Sequence, residues 1–293
     1  MNTITLLLSR ILRLFSVNHL KDSFDSDERL QENVIKDILS NNDEKSINEF
    51  VVNNIDYTKK SVHIYSLKNK YQHKKSILSN ELGIEILSQT TSQGVFSLKG
   101  YHKLKYDAVI YEQGLKKTVS IFFKQPIKII INNAYLILEL TKVEINLKTH
   151  FSDDIDLISS KKIIDDGDAI HSILTFFDSN FKIRPSKADL NKGIKYLWEK
   201  DIIDGKELAY RKSSSRTKEI MDGEELFKNK YPAEYLNLMR NPIENCIFRY
   251  LPDNADFPSH FTCDVSGGEL SFTIYPKSVN QITNVINEIL KNN

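Results

Sequence analysis

The chain has 293 residues, 40% of them hydrophobic and 27% charged, with a formal net charge of +1. This composition excludes a disordered polymer, and no run reaches the ~20 apolar residues of a membrane-spanning helix. Two cysteines, Cys246 and Cys263, with no CxxC spacing, exclude a disulfide scaffold or zinc framework and point to a reducing, cytoplasmic setting.

In the opening MNTITLLLSRILRLF, residues Ile4, Leu7, Leu8, Ile11, Leu12 and Phe15 fall at helical spacing. The apolar run before Arg10 is short and lacks a preceding charge and a small-residue cleavage site, which argues against a signal peptide. A helix over 3–16 is expected to pack on the chain's own core. It is also the candidate surface for a protein partner or a second copy in a homo-oligomer. Leu30, Val34, Ile35 and Ile38 mark a further helix, with Asp25 or Ser26 as its cap. Residues 1–56 thus form a helical N-terminal segment.

From Tyr57 the period changes. SVHIYSL, GIEILSQ, GVFSLKG, YDAVIYE, TVSIFFK, KIIINNAYLILEL and TKVEINLK are short β-branched and aromatic runs separated by turn signals. They predict an antiparallel β-rich lobe over 57–150, as a sheet or a partly closed barrel. No crossover helix interrupts them, which excludes a parallel arrangement there.

The Asp- and Ser-rich stretch 150–166 reads as a joint, and 151–293 as a mostly helical lobe. DAIHSILTFFDSN is one helix, and a second starts after Pro185 with Ser186 as cap. Two short helices lie around Pro232 and before Pro242. The end holds a hairpin turning at Gly267-Gly268 and a final amphipathic helix. The fold class is α+β.

Charge is partitioned along the chain. Residues 57–148 carry 15 lysines against 6 acids, +9, whereas 1–56 and 149–293 are each −4. Between Tyr57 and Asn80 six lysines, no acid and three tyrosines alternate. Basic residues interleaved with aromatics on a sheet suit phosphate attraction and base stacking. The candidate cations are Lys59, Lys60, Lys74, Lys75, Lys116 and Lys117. A second anion candidate is YRKSSSRTKEI, where Arg211, Lys212, Arg216 and Lys218 surround Ser214 and a helix starting near Thr217 would offer its N–H groups to a phosphate. It lacks the glycines of a Walker loop.

A metal-dependent nuclease needs carboxylates and a lysine on neighbouring strands. Asp107, Glu139 and Lys142 are the candidates, although alternation puts Glu139 and Lys142 on opposite faces of a regular strand. Asp165, Asp166 and Asp168 are metal candidates that also fit a turn and helix cap. Histidines never pair at i, i+3 or i, i+4, and no GxSxG or GxGxxG occurs.

These observations lead to a non-enzymatic nucleic-acid-binding subunit with no cofactor; its place in a multicomponent prokaryotic system, with anti-phage defence the first expectation, is a prior that the residues do not show. A nuclease or phosphodiesterase using Mg²⁺ is the alternative, and a protein–protein assembly subunit the second.

Overall fold

The computed structural model describes residues 3–72, 76–143, 147–151, 155–212, 215–220, 225–251 and 255–293. Four helices open the chain: α1 (Thr3–Leu12), α2 (Val17–Phe24), α3 (Gln31–Asn41) and α4 (Glu44–Asn54), followed by a 3-10 turn, Ile55–Tyr57. Leu8, Ile11, Leu12 and Phe15 are buried against Leu20, Val34, Ile38 and Phe50. The apolar face of α1 is therefore occupied by its own chain. Asp25 is the left-handed C-cap of α2, and Ser26 bonds Asp37 of α3. Neither caps α3, whose N-cap is Leu30.

The middle of the chain supplies β1 (Lys60–Leu67), the single turn α5 (Ser79–Leu82), β2 (Glu85–Ser92), β3 (Val95–Glu112), β4 (Leu115–Ile131) and β5 (Tyr135–Thr141). After a 3-10 turn, Leu147–His150, come β6 (Asp156–Ile164), α6 (Asp166–Phe181), β7 (Pro185–Lys187) and α7 (Asn191–Glu199). The chain ends with β8 (Ile203–Lys212), β9 (Ser215–Ile220), α8 (Phe227–Lys230), α9 (Pro232–Arg240), β10 (Asn245–Tyr250), β11 (His260–Asp264), β12 (Glu269–Phe272) and α10 (Gln281–Lys291).

All described strands join one antiparallel sheet in the order β2-β3-β4-β5-β1-β12-β11-β10-β8-β9, with β6 on β3 and β7 on β1. The sheet is not closed, and the class is α+β. Helices cover both faces at its centre, which explains why β5, YLILELT, is buried at every position after Tyr135. Leu136, Leu138 and Leu140 meet Ile173 and Phe177 of α6. Ile137, on the other face, joins Ile194 and Leu197 of α7 and Ile282, Ile286 and Ile289 of α10. Gly193 permits the α7–α10 contact, because a Cβ there would sit 2.2 Å from the Ile289 carbonyl oxygen.

Several local expectations are corrected. The 150–166 joint contains β6, which pairs with β3 from Lys105 to Tyr111. VFSLKG and YDAVIYE belong to one 18-residue strand, Val95–Glu112. Of TKVEINLK, residues 144–146 lie outside the described part, and Leu147 and Lys148 are in the 3-10 turn. Ser186 lies in β7, paired with Ser66, and α7 is capped by Leu190. Residues 215–220 form strand β9 on the free edge of β8, where a helix was expected. The hairpin at Gly267-Gly268 and the final helix are observed.

Candidate functional site

β3 and β4 pair continuously from Phe96↔Ile131 to Glu112↔Leu115, but only Ile127–Ile131 of β4 continues into β5. The remainder, with β6 beside it, projects as a three-stranded arm. Alternation gives the arm two different faces. Leu104, Ala108, Ile110, Ile121 and Phe123 are buried with Leu147, and Ile155 and Leu157 pack on them. The opposite face presents Lys103, Lys105, Asp107 and Tyr111 of β3 and Lys116, Ser120, Phe122 and Lys124 of β4. Lys161 of β6 stands opposite Asp107. Lys103, Tyr111, Lys116 and Lys161 are exposed, and Phe122 is half-buried.

This face is cationic because few acids answer its lysines. Asp107 accepts a hydrogen bond from Ser120 at 2.7 Å and pairs with Lys105 at 3.4 Å. The Ser120 bond, aided by Lys105, holds its carboxyl below the ordinary value. Lys124 pairs with Glu85 of β2 at 2.9 Å and lies 5.1 Å from the Tyr101 ring. The Lys103 ammonium stands 4.2 Å over the Phe122 ring. Lys103, Lys116 and Lys161 form no ion pair among the described residues.

The other cations read from the sequence are distributed elsewhere. Lys117 points to the opposite side of the hairpin from Lys116 and pairs with Glu112 at 2.9 Å. Lys59 lies 4.8 Å from the Tyr275 ring. Arg211 and Arg216 face each other in register across β8 and β9, as Lys212 faces Ser215 and Ala209 faces Lys218. The side chains of this hairpin, and residues Ser214, Lys74 and Lys75, lie outside the described part. A strand, not a helix N-terminus, underlies Arg216–Lys218, so the helix-terminus anion site does not form there. In the sheet order β4 and β8 are six strand spacings apart, about 29 Å along the sheet. The arm's lysines and this hairpin therefore do not share one pair of strands.

Lys60 is fully buried, in a cluster built where the 3-10 turn meets β1, β4 and β5. Its ammonium donates to Asp56 at 2.8 Å and to Glu139. Lys128 donates to Asp56 at 2.8 Å and lies 3.6 Å from Glu139. Two buried cations thereby meet two carboxylates, the pairing that burial of charge requires. Burial pushes the Asp56 carboxyl up, but Lys60 and Lys128 outweigh it and leave it well below the ordinary value. Burial likewise lowers Lys128, and Glu139 and Asp56 more than reverse this.

The nuclease geometry is not assembled. Asp107 is in register with Ser120 and Glu139 with Lys128, eight positions apart along β4, or about 27 Å. Lys142 donates to Ser271. Asp165 caps α6, accepting from Gly167 and Asp168 N–H, while the Asp165 N–H donates to the Asp168 carboxylate. Asp166 accepts from Gln125 at 3.1 Å. No group of three or more His, Cys, Asp or Glu among the described residues has the geometry to hold a metal ion.

Two clefts adjoin these features. One, of about 760 Å³, lies between α10 and the β4–β5 turn and reaches inward to Glu139. The other, of about 550 Å³, crosses the root of the arm between Leu7 of α1 and the α5–β2 segment, over Tyr101, Lys103, Phe122 and Lys124. The arm residues Lys103, Lys105 and Lys161 were missed in the sequence because 95–112 was split and 156–164 was taken as a joint. The signal present was the Lys-x-Lys alternation in HKLKYD.

No protein-family model matches the chain, and no curated protein shows significant similarity to it. No helix among the described residues is long and apolar enough to cross a membrane.

Proposed function

We propose that this chain is a non-enzymatic nucleic-acid-binding subunit that holds the phosphate backbone on the outward face of its β3–β4–β6 arm. The observation that carries this reading is the placement of Lys103, Lys116 and Lys161, exposed and without ion pairs among the described residues, on one strand face with Phe122 and Tyr111. Lysines on flexible stems supply point-charge attraction without base reading. Aromatic rings beside them offer stacking surfaces to bases. Beyond the root, where α1 packs on β4, the exposed Lys103, Tyr111, Lys116 and Lys161 keep this face accessible. Work within a larger prokaryotic assembly, such as an anti-phage system in the cytoplasm, belongs to the same proposal.

The test is fluorescence anisotropy of a labelled oligonucleotide with wild type, Lys103→Glu/Lys161→Glu and the control Lys200→Glu, on the far lobe. Charge reversal on the arm is expected to abolish binding at about 50 mM salt, where phosphate contacts dominate, while the control binds as wild type. Equal loss in both variants, or none in either, overturns the assignment to the arm.

A further inference from the structure

The cleft at the root of the arm lies where the sheet leaves a strand edge open. β2 pairs with β3 only as far as Tyr101, and β6 takes up pairing again at Lys105. Along His102–Leu104 no strand covers that edge of β3 among the described residues. Gly83 and Glu85, leading into β2, form one wall of the cleft, and Leu7 of α1 the other. Its volume, about 550 Å³, falls within the range of small-ligand pockets.

We infer that this cleft seats one unpaired base of a single nucleic-acid strand, with a flanking phosphate on Lys103; the inference rests on the nucleic-acid reading of the arm. Phe122 supplies a half-buried ring at the entrance. Two ammonium groups already lie over aromatic faces, Lys103 at 4.2 Å from Phe122 and Lys124 at 5.1 Å from Tyr101. A base sliding onto Phe122 displaces the Lys103 ammonium sideways, which brings it to the adjoining phosphate. The ring is held in place from behind. Arg10 donates to the Phe122 carbonyl and its guanidinium stacks 4.7 Å from the Phe123 ring. Tyr101, at the floor, is fixed by its hydroxyl donating to Asn48 at 2.8 Å. Asn80 and Glu85 line the rim, where an amide and a carboxylate meet the donor and acceptor groups of a base edge. A duplex keeps its bases stacked inside and offers none to such a cleft, so the arm alone serves duplex whereas arm and cleft together serve a single strand.

The experiment compares anisotropy binding of a single strand of about 12 nucleotides and the duplex of the same sequence, with wild type and Phe122→Leu. Leucine keeps the apolar packing and removes the stacking ring. Wild type is expected to favour the single strand by about tenfold. Phe122→Leu is expected to lose that factor, the size of one base–aromatic stack, while an unchanged circular dichroism spectrum and Tm report an intact fold. Salt-sensitive binding with equal affinity for both forms, or a Phe122→Leu variant that keeps the preference, overturns the cleft assignment and leaves the arm reading standing. No binding to either form overturns both. Adenosine monophosphate displacing the strand at concentrations comparable to the strand itself would assign the cleft to free nucleotide and overturn the strand assignment.

Discussion

Replacing Lys60 by Met removes the ammonium at the centre of the buried cluster while keeping most of the stem's volume. Lys60 is fully buried and serves both Asp56 and Glu139; Lys128, 11% exposed, is the second cation. In Lys60→Met two carboxylates share Lys128. Glu139 then keeps only the 3.6 Å contact to it, and Glu139 Oε1 already lacks a hydrogen bond. Removing one partner of a buried pair costs about 3–5 kcal/mol. Since Lys128 remains able to move towards Glu139, the lower end applies, about 3 kcal/mol. With a urea slope of about 3 kcal/mol/M for a chain of this size, the midpoint falls by about 1 M. Circular dichroism during urea unfolding measures it. The double variant Lys60→Met/Glu139→Met leaves Asp56 and Lys128 as a matched pair and is expected to regain most of the loss. A Lys60→Met midpoint within about 0.2 M of wild type, or a double variant no better than the single one, would refute the cluster as a stabilising tie between the 3-10 turn and the sheet.

Three further outcomes follow from the fold. The Asp56 carboxyl is depressed in the folded state, so its contribution is complete above its unfolded value near pH 4 and is lost as pH falls towards the folded value. The gap in urea midpoint between wild type and Asp56→Asn should therefore shrink on acidification, and a gap independent of pH would contradict the pairing. Gly193→Ala places a methyl against the Ile289 carbonyl and should cost about 2 kcal/mol, lowering Tm by about 5 °C; an unchanged Tm would show that α7 and α10 separate freely. Burial pushes the Cys263 thiol well up, with Cys246 opposite it in register. Neither thiol should react with iodoacetamide in the native protein at about pH 8, and both should after denaturation; native labelling would show that β10 and β11 open.

Elements with local punctuation were legible in the sequence. DDGD announced the cap of α6, which Asp165 and Asp168 form, and Gly267-Gly268 announced the last hairpin. The arm was harder to read because its punctuation has another cause. Gly100 resembles a turn, yet it lies inside β3, where a Cβ would stand 2.4 Å from the Glu85 carbonyl oxygen beside a bulge in β2. Pro126 resembles a strand end. It lies within β4, in register with Tyr101 of β3 and one position before pairing with β5 begins. The serines of SSSR suited a helix cap as well as a strand end, and only the open edge of β8 decides between them. Lys60 resembled the other lysines around it. Its burial depends on Glu139, 79 positions away, which local pattern does not reveal. The same distance effect separates Asp107 from Glu139, two carboxylates that strand assignment alone placed on one site.

The measurement that tests the central proposal most directly is the salt dependence of single-strand affinity, for wild type beside Lys103→Ala/Lys116→Ala/Lys161→Ala. Each lysine neutralising a phosphate adds about −0.7 to the slope of log affinity against log salt, so three contribute about −2. Wild type is expected to show a slope at least this steep, and the triple variant to lose about 2 from it together with most of its low-salt affinity. A slope that the three substitutions leave unchanged would contradict the arm as the phosphate-binding face.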